Sequence, residues 1–330
     1  MLAVEKRVDL LVRLGKYMLS DSEQWLEIQE KATYANAWFT PEHIGIAISN
    51  ITSELLDKNK LHTWLKEYTL PQESRKVGIV MAGNIPLVGF HDFLCGFITG
   101  HQLYLKLSSK DDILLKHLID QLIAWEPEIG QQVHIAEQLK NCEAYIATGS
   151  NNTARYFEQY FGKYPNIIRK NRTSVAILEG DETEEELTEL GKDVFTYFGL
   201  GCRNVTQVCV PKGYDFTSLL EAFKPFTASI HHNKYKNNYD YHLAIYLLNK
   251  VPYLTNDSIL LVENELPFSP VSVLHYRYYD DLNDLVHELQ AGQNIQTIVG
   301  RGFTPFGDAQ RPSLNEYADG VDTMAFLCNL

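Results

Sequence analysis

Several features that mark whole classes of protein are missing from this sequence of 330 residues. No stretch approaches the roughly 20 consecutive apolar residues of a membrane-spanning helix, which argues against an integral membrane protein. Residues 1–19 carry charges among their apolar positions and no small-residue cleavage site, so they are typical of a mature helix and not of an export signal. The five cysteines are widely spaced and include no C-x-x-C pair. This spacing favours a reducing, cytoplasmic location over a disulfide framework or a zinc site.

Positive charge is also scarce, because 29 Lys and Arg residues stand against 42 Asp and Glu residues, for a net charge of −13. We therefore do not expect nucleic acid as a main partner, since that partner requires a basic face. A phosphorylated small molecule needs only a local positive pocket, so the net charge does not exclude it. The acidic segment 179–193 is interpreted as a solvated helix whose first turn complements the helix dipole, in preference to an interaction patch.

From residue 76 onward, the sequence alternates between short apolar strand patterns and helix patterns, whereas the residues before it are typical of helices. One early helix is predicted to begin at Thr40-Pro41-Glu42, which supplies an N-cap, a proline at the first helical position and a first-turn acid. The predicted strands of this first set cover 76–81, 102–107, 143–148 and 166–169, with helices at 87–99, 110–125 and 152–161. Such alternation predicts a parallel sheet with helices on both faces.

The same pattern restarts near residue 172, and this restart sets the predicted domain boundary. The strands of the second set are predicted at 174–178, 205–210, 258–262, 271–276 and 295–299, with helices at 184–198, 235–248 and 281–289. Residues 301–320 are rich in Gly, Pro and Asp and are interpreted as a loop that packs over another part of the chain. We therefore predict an α/β protein with mostly parallel sheets, divided into domains of residues 1–172 and 173–330.

Three loops that follow predicted strands of the first set carry glycine or polar residues: 83–86, 108–110 and 148–151. Ligands of parallel α/β sheets bind at the carboxyl ends of strands, where helix N-termini present free N–H groups. None of the loops contains the G-x-G-x-x-G dinucleotide fingerprint, and each taken singly is typical of an ordinary βα turn. Because they follow successive strands, a shared binding edge is the alternative hypothesis.

The segment Gly199-Leu200-Gly201-Cys202-Arg203-Asn204 lies between a predicted helix and the strand that follows it. Its two glycines allow a ligand to approach the backbone closely, and Arg203 places positive charge beside the Cys202 sulfur, which favours the thiolate. Two interpretations stay open from the residues alone: a reactive nucleophile, or a small buried thiol in a tight turn. No metal site is predicted at His231-His232, because no acidic or cysteine ligand recurs at a suitable spacing.

Four segments of the chain, taken together, resemble the LuxC-type acyl-CoA reductases, a branch of the aldehyde dehydrogenase superfamily that includes the fatty-acyl reductase of bacterial bioluminescence. They are AGNIPLVGFHDFLCGFITG, LKLSSKDD, GLGCRNVTQVCVPKGYDF and FGDAQRPSLNEYADGVDT. The resemblance extends from about residue 75 to the end of the chain. It implies an aldehyde-dehydrogenase-like fold of two Rossmann-type domains, in which residues 1–172 include the cofactor-binding domain and residues 173–330 carry the nucleophile.

The resemblance also implies roles for individual residues. Cys202 occupies the position of the family's nucleophile, and Asn84 that of the superfamily's oxyanion-hole asparagine. The remaining implied positions concern a nicotinamide cofactor: Lys106 at the adenosine ribose, Gly149 and Ser150 at the pyrophosphate-binding helix, and Glu265 at the nicotinamide ribose. NAD-specific relatives place an acid after the adenosine lysine, whereas this chain has Ser108, Ser109 and Lys110, which predicts a preference for NADPH.

The implied activity is the NADPH-dependent reduction of a fatty acyl thioester, carried on CoA or an acyl carrier protein, to an aldehyde. Residues 170–174 correspond to the segment that holds the general base of hydrolytic aldehyde dehydrogenases, and they contain no acid. A thioacyl enzyme without a base to activate water should persist, which suits a reductase or an acyl transferase better than an acid-forming oxidase. Two alternatives are an acyl transferase or thioesterase that uses Cys202, and a non-catalytic partner of an acyl-activating enzyme. We also expect a homo-oligomer.

Overall fold

The computed structural model describes residues 2–330, which divide into two compact units. The first unit comprises the chain up to Asn171 together with Arg311–Leu330, and the second comprises Arg172–Gln310. This differs from the predicted division, which assigned every residue after 172 to one domain. The reason is the burial of Leu314, Met324 and Leu327, which belong to the hydrophobic core of the first unit.

The first unit begins with four helices: α1 (Val4–Met18), α2 (Glu23–Ala35), α3 (Pro41–Asn50) and α4 (Lys58–Leu65). The predicted start of α3 is confirmed, because the Thr40 hydroxyl accepts the N–H of His43 at 3.1 Å and Pro41 is the first helical residue. A π-helical turn, Ile51–Leu55, follows α3. These helices bury apolar residues against the core of the unit, among them Leu11, Trp25 and Trp64.

A five-stranded parallel sheet forms the centre of the first unit. Its strands are β1 (Lys76–Val80), β2 (Gln102–Lys106), β3 (Val133–Ile135), β4 (Ala144–Thr148) and β5 (Asn166–Arg169), in the order β3-β2-β1-β4-β5. The connecting helices are α5 (Phe90–Thr99), α6 (Ile113–Trp125), α7 (Ile129–Gln132) and α8 (Asn151–Phe161). Four of the five strands lie where the apolar runs predicted them, and β3 is a further strand of only three residues.

The second unit contains a six-stranded sheet. Its strands are β6 (Thr173–Ile177), β7 (Val205–Pro211), β8 (Leu254–Thr255), β9 (Leu260–Glu263), β10 (Val273–Tyr279) and β11 (Ile295–Val299), in the order β11-β6-β7-β10-β9-β8. All neighbouring pairs are parallel except β8 with β9. Its helices are α9 (Glu184–Phe195), α10 (Thr217–Ala222), α11 (Asn233–Asn249) and α12 (Leu282–Ala291), and α13 (Thr323–Cys328) lies in the first unit. The predicted α/β class with mostly parallel sheets is confirmed.

Residues 184–193 of the acidic segment 179–193 form most of α9, as predicted, whereas residues 179–183 precede the helix. Its N-terminus carries a capping box, in which the Thr183 hydroxyl accepts the N–H of Glu186 and the Glu186 carboxylate accepts the N–H of Thr183. The helix ends at Phe195, earlier than the predicted residue 198, and a short 3₁₀ turn, Thr196–Gly199, follows it. Within residues 2–330, no helix has the length and apolar character needed to cross a membrane.

Candidate active-site residues in the two units

The three polar loops of the first unit lie at one edge of its sheet. They follow β1, β2 and β4, and these strands are direct neighbours in the order β2-β1-β4. Because all three strands are parallel, their carboxyl ends reach the same edge. The structure thus brings together the predicted site residues of this unit: Asn84, Lys106, Ser108, Ser109, Gly149 and Ser150.

The loop that carries Asn84 packs tightly against the loop after β2. The N–H of Met81 donates to the carbonyl oxygen of Lys106 at 3.0 Å. A Cβ atom added at Gly83 would lie 2.5 Å from the Ser108 hydroxyl oxygen and 2.7 Å from the Ser108 Cβ, so this close approach requires glycine. Asn84 itself is exposed. The side chain that the resemblance assigns to the oxyanion therefore extends from a loop whose base is closely packed.

Asp111, which sequence reasoning missed, fastens the other end of the same loop. Its buried carboxylate interacts with the backbone N–H groups of Leu87 and Val88, while its Oδ1 atom has no hydrogen-bond partner within residues 2–330. Leu87 has a left-handed backbone conformation, with φ 57°, which is unfavourable for leucine and needs such support. Burial raises the pKa of Asp111 well above its usual range, while the two N–H groups act in the opposite direction. In the sequence, the only indication of this role is an acidic residue directly after Lys110.

The residues expected to contact the adenosine ribose lie at the end of β2. Lys106 is the last residue of the strand and its side chain is exposed, as are those of Ser109 and Lys110. The Ser108 hydroxyl accepts the N–H of Lys110 at 3.3 Å, which tightens the turn into α6. These hydroxyl and ammonium groups are donors suited to a phosphorylated ribose, and the turn contains no acid before Asp111.

Gly149 and Ser150 form the N-terminus of α8. The Ser150 hydroxyl accepts the N–H of Thr153 at 3.3 Å and contacts the Thr153 hydroxyl at 2.6 Å, which makes it a typical N-cap. A Cβ atom at Gly149 would lie 2.9 Å from Cε2 of Phe157, so the backbone sits directly on the helix. Because the first turn of a helix presents free N–H groups and a positive dipole, this end of α8 fits a pyrophosphate.

In the second unit, Cys202 lies in the turn between α9 and β7 and is partly exposed. Three consecutive residues before it, Tyr197, Phe198 and Gly199, have left-handed backbone conformations with φ of 55°, 56° and 75°. For the two aromatic residues this conformation costs roughly 1–2 kcal/mol each. Their burial offsets part of this cost, and the Phe198 ring also stacks on His232 with the ring centroids 4.4 Å apart.

The buried side chain of Asn204 holds the turn around Cys202 together. Its amide oxygen accepts the N–H of Gly201 at 2.8 Å, and its amide nitrogen donates to the carbonyl oxygens of Asp193 and Thr196, both at 2.8 Å. The Ser174 hydroxyl donates to the carbonyl oxygen of Cys202 at 3.1 Å. The backbone on both sides of the Cys202 sulfur is therefore fixed by side-chain hydrogen bonds, a feature that sequence reasoning did not anticipate.

The other cysteines have environments that oppose thiolate formation. Cys95 and Cys209 are fully buried, and burial raises the pKa of both thiols, although the Arg277 guanidinium lies 3.5 Å from the Cys209 sulfur. Burial also raises the pKa of Cys142, and that of Cys328 to about 11. Cys202 is partly exposed, as is Cys328, and its role as a nucleophile stays a prediction.

Glu265, predicted to bind the nicotinamide ribose, follows β9 in the second unit. The loop that carries it is anchored to β7, since the Gln207 amide donates to the carbonyl oxygen of Asn264 at 2.8 Å. The Glu265 side chain is 79% exposed, and its carboxylate lies 3.6 Å from the Arg277 guanidinium. The structure thus places Glu265 on an anchored loop with its carboxylate directed toward a cation, and its role toward a cofactor stays a prediction.

Two polar residues of α5, His91 and Asp92, have partners within the first unit. His91 stacks on Tyr317, and the neighbouring Asp92 is bound by the buried guanidinium of Arg169 at 2.6 Å. Phe195, an aromatic residue near Cys202, stacks on Phe226 within the second unit, as a helix-core residue would. Across the described residues 2–330, no group of three or more His, Cys, Asp or Glu side chains could hold a metal ion.

Comparisons with known proteins show a structural similarity without a sequence match. No family model matches the chain, and no curated protein matches it. An aldehyde dehydrogenase of Mycobacterium tuberculosis in complex with NAD+ is similar over 86% of this chain and 70% of its own, with 14% identity and a TM-score of 0.61.

Two further solved structures give the same result. An indole-3-acetaldehyde dehydrogenase of P. syringae, in complex with NAD+ and IAA, is similar over 90% of this chain and 72% of its own, with 11% identity and a TM-score of 0.65. An aldehyde dehydrogenase of Physcomitrella patens, in complex with the reaction product succinate, matches 91% of this chain and 74% of its own, with 12% identity and a TM-score of 0.64. At such identities the similarity establishes the fold: the chain has the aldehyde dehydrogenase fold.

Proposed function

We propose that the protein is a nicotinamide-dependent oxidoreductase that reduces a fatty acyl thioester, on CoA or an acyl carrier protein, to an aldehyde. The observation that carries this proposal is the turn of Cys202, which presents one partly exposed cysteine on a backbone fixed by Asn204 within an aldehyde dehydrogenase fold. A nucleophile needs this combination of access and fixed position. The resemblance of the flanking sequence to LuxC-type reductases supports the choice of a thioester as substrate.

In the proposed reaction, the Cys202 thiolate attacks the acyl carbonyl carbon, the bond from that carbon to the CoA sulfur breaks, and CoA leaves as the thiol after taking up a proton. The proposal assigns stabilisation of the oxyanion to the Asn84 side-chain amide and the backbone N–H of Cys202. A bound nicotinamide supplies the hydride that releases the acyl group as an aldehyde. Overall, thioester, NADPH and a proton give aldehyde, CoA and NADP+.

Reduction is favoured over oxidation to an acid by the residues after β5. Residues 170–174 contain no carboxylate, and the residue before them, Arg169, is a buried cation paired with Asp92. Without a carboxylate to activate water there, a thioacyl group on Cys202 should be slow to hydrolyse. The same property suits an acyl transferase that uses Cys202, which is the second candidate function.

The proposed cofactor is NADPH. The P. syringae and M. tuberculosis enzymes were solved with NAD+, and in this chain the N-terminus of α8 at Ser150 fits a pyrophosphate. The exposed side chains of Lys106, Ser109 and Lys110 at the end of β2 would hold the adenosine ribose and its 2′-phosphate. The proposal keeps Glu265 as the nicotinamide-ribose residue. A homo-oligomer and an acyl-activating partner stay predictions from the resemblance.

The decisive test is product identification with saturated acyl-CoAs of increasing chain length and NADPH. We expect aldehyde and CoA in equal amounts, no product from Cys202→Ala, and retained activity in the matched variant Cys209→Ala, corrected for any loss of folded protein. Free acid as the main product would contradict a reductase. Transfer of the acyl group to an added thiol, with no NADPH consumed, would support the transferase instead.

A further inference from the structure

Asp193 is a buried carboxylate of the second unit that the proposed reaction does not use. It lies on α9 between the buried residues Leu190 and Val194, so it occupies the apolar face of the helix. Both of its oxygens accept backbone N–H groups of one loop: Oδ2 from Gly307 at 2.7 Å and Oδ1 from Ala309 at 3.0 Å. Burying a carboxylate costs free energy, and its two hydrogen bonds to backbone N–H groups offset part of that cost. Such an arrangement indicates a structural or functional role for Asp193.

The same residue is also bound to the turn of the nucleophile. The backbone carbonyl oxygen of Asp193 accepts the side-chain N–H of Asn204 at 2.8 Å, and the other end of that amide accepts the N–H of Gly201, the residue before Cys202. Asp193 and Asn204 therefore link the loop of Gly307 and Ala309 to the backbone of Gly201 through successive hydrogen bonds.

The loop at the far end of this path packs closely on α9. Gly307 has φ of 88°, and a Cβ atom added there would collide with the carboxylate of Glu189 one turn earlier on α9. The glycine thus lies directly on the helix, with its N–H aimed at Asp193. This is the loop that the sequence predicted to pack over another part of the chain, and within the second unit it packs on α9.

We propose that Asp193 is a positioning residue for Cys202: its carboxylate clamps the loop of Gly307–Ala309 to α9, and through Asn204 the clamped helix end sets the backbone of the nucleophile turn. This inference rests on Cys202 being the reacting thiol, as proposed above. It goes beyond that proposal because the proposed reaction assigns no role to Asp193 or to the 307–309 loop.

The charges around Asp193 make the clamp sensitive to pH. Burial raises the pKa of Asp193 to about 7, the N–H groups of Gly307 and Ala309 act in the opposite direction, and the negative charges of Asp308 and Glu189 raise it further. A carboxyl whose pKa is raised by burial favours the closed state in its neutral form, so its ionisation favours opening to solvent. The clamp should therefore loosen as the pH rises through about 7.

The test compares amide hydrogen exchange of the wild type, Asp193→Asn and the matched variant Glu184→Gln, whose exposed carboxylate lies on the same helix. We expect Asp193→Asn to speed exchange in two separate segments, 305–310 and 199–204, and to leave residues 260–279 of β9 and β10 unchanged. Glu184→Gln should match the wild type. Faster exchange in 305–310 with 199–204 still protected would overturn the proposal, because Asp193 would then hold the loop without affecting the turn of Cys202.

A second readout concerns the chemistry. The rate constant for CoA release in the acylation of Cys202 should fall about tenfold or more in Asp193→Asn, with little change in the KM for the thioester, since misplacement acts on the transition state. An unchanged rate constant would overturn the proposal. If the wild type releases no CoA, the proposed reduction fails and the exchange result alone decides the clamp.

A third measurement needs no variant, in case Asp193→Asn does not fold. Wild-type exchange at pH 6 and pH 8, corrected for the intrinsic pH dependence of exchange, should show both segments less protected at pH 8. Equal protection of 199–204 at the two pH values would contradict the inference.

Discussion

The two units present their candidate residues in different ways. In the first unit, Asn84, Lys106 and Ser150 follow the carboxyl ends of neighbouring parallel strands, a position that any parallel sheet offers to a ligand. In the second unit, Cys202 comes before β7, at its amino end, in a turn with left-handed residues fixed by Asn204. The first arrangement follows from strand order and local turns, whereas the second depends on side-chain hydrogen bonds of Asn204 and Ser174 to the backbone of the turn and of the end of α9. The binding residues should therefore tolerate local change better than the nucleophile does.

The largest effect that we expect in the first unit concerns Asn84. It tests whether the loops of this unit take part in the chemical step or only bind the ligands. Asn84→Ala should lower kcat by about 10²–10³, or about 2.7–4 kcal/mol, the usual cost of one oxyanion donor. The KM for the acyl thioester should change little, because the amide acts on charge that develops in the transition state. Steady-state kinetics of aldehyde formation measures both. A large rise in KM with kcat intact would make Asn84 a binding residue. The residues that act in the chemical step would then all belong to the second unit.

The close packing beneath Asn84 can be tested with a pair of glycine variants. Gly83→Ala forces a Cβ against Ser108 and should destabilise the protein by about 1–3 kcal/mol, the usual cost of overpacking. Gly45→Ala is the matched control in α3, where nothing lies within 4 Å of the added Cβ, and helix propensity predicts a gain of about 0.5–1 kcal/mol. Urea denaturation measures both. Equal stability of the two variants would show that the Asn84 loop moves freely away from the loop after β2.

The buried acid of the second unit predicts a pH dependence of stability. The pKa of Asp193 in the folded chain is about 7, above its ordinary value of 3.8, so the stability contributed by its neutral form is present below pH 4 and is lost as the pH rises through about 7. The slope reaches about 1.4 kcal/mol per pH unit within this window. Asp193→Asn should remove it, and Glu184→Gln should keep it. Urea denaturation between pH 4 and pH 8 measures the slope, and an identical slope in Asp193→Asn would contradict the assignment.

That linkage agrees with a clamp that loosens on ionisation, because the charged carboxylate is costly to bury. Local protection of the loop and global stability should therefore both fall as the pH rises through about 7.

The smallest expected effect concerns the cofactor loop after β2. Ser109→Asp places a carboxylate near the proposed 2′-phosphate, and the ratio of kcat/KM for NADPH to that for NADH should fall about tenfold, or about 1.4 kcal/mol. The kcat with a saturating cofactor should be nearly unchanged, because Ser109 is exposed and distant in sequence from Cys202. A wild-type preference for NADH, or an unchanged ratio in the variant, would contradict the proposed role of this loop.

Sequence reasoning located the long strands because their apolar runs are bounded by turn residues. It missed β3 and β8, which have three and two residues, since such short segments carry no periodic signal. It also extended α9 to residue 198, whereas the helix ends at Phe195. The Asn204 amide donates a hydrogen bond to the carbonyl oxygen of Thr196, which helps to end the helix there. Tertiary hydrogen bonds of this kind cannot be read from local propensity.

The same contrast holds for the candidate site residues. The strand-end loops of the first unit could be predicted to share an edge from the order of strands and helices. Asp111 and Asp193 could not be identified, because an acid on a buried face looks like any other acid until its backbone donors are known. A residue such as Asp193, between the apolar Leu190 and Val194, is nevertheless a pattern to search for in other sequences.

The release of CoA from an acyl-CoA in the absence of a nicotinamide cofactor tests most directly whether Cys202 is the nucleophile. If Cys202 carries the acyl group and no carboxylate activates water, CoA should appear in a burst of at most one equivalent per chain and then stop, leaving a hydroxylamine-sensitive thioester on Cys202. NADPH should discharge that thioester as aldehyde. Steady CoA release with accumulation of free acid, or a thioester label that persists in Cys202→Ala, would contradict the account.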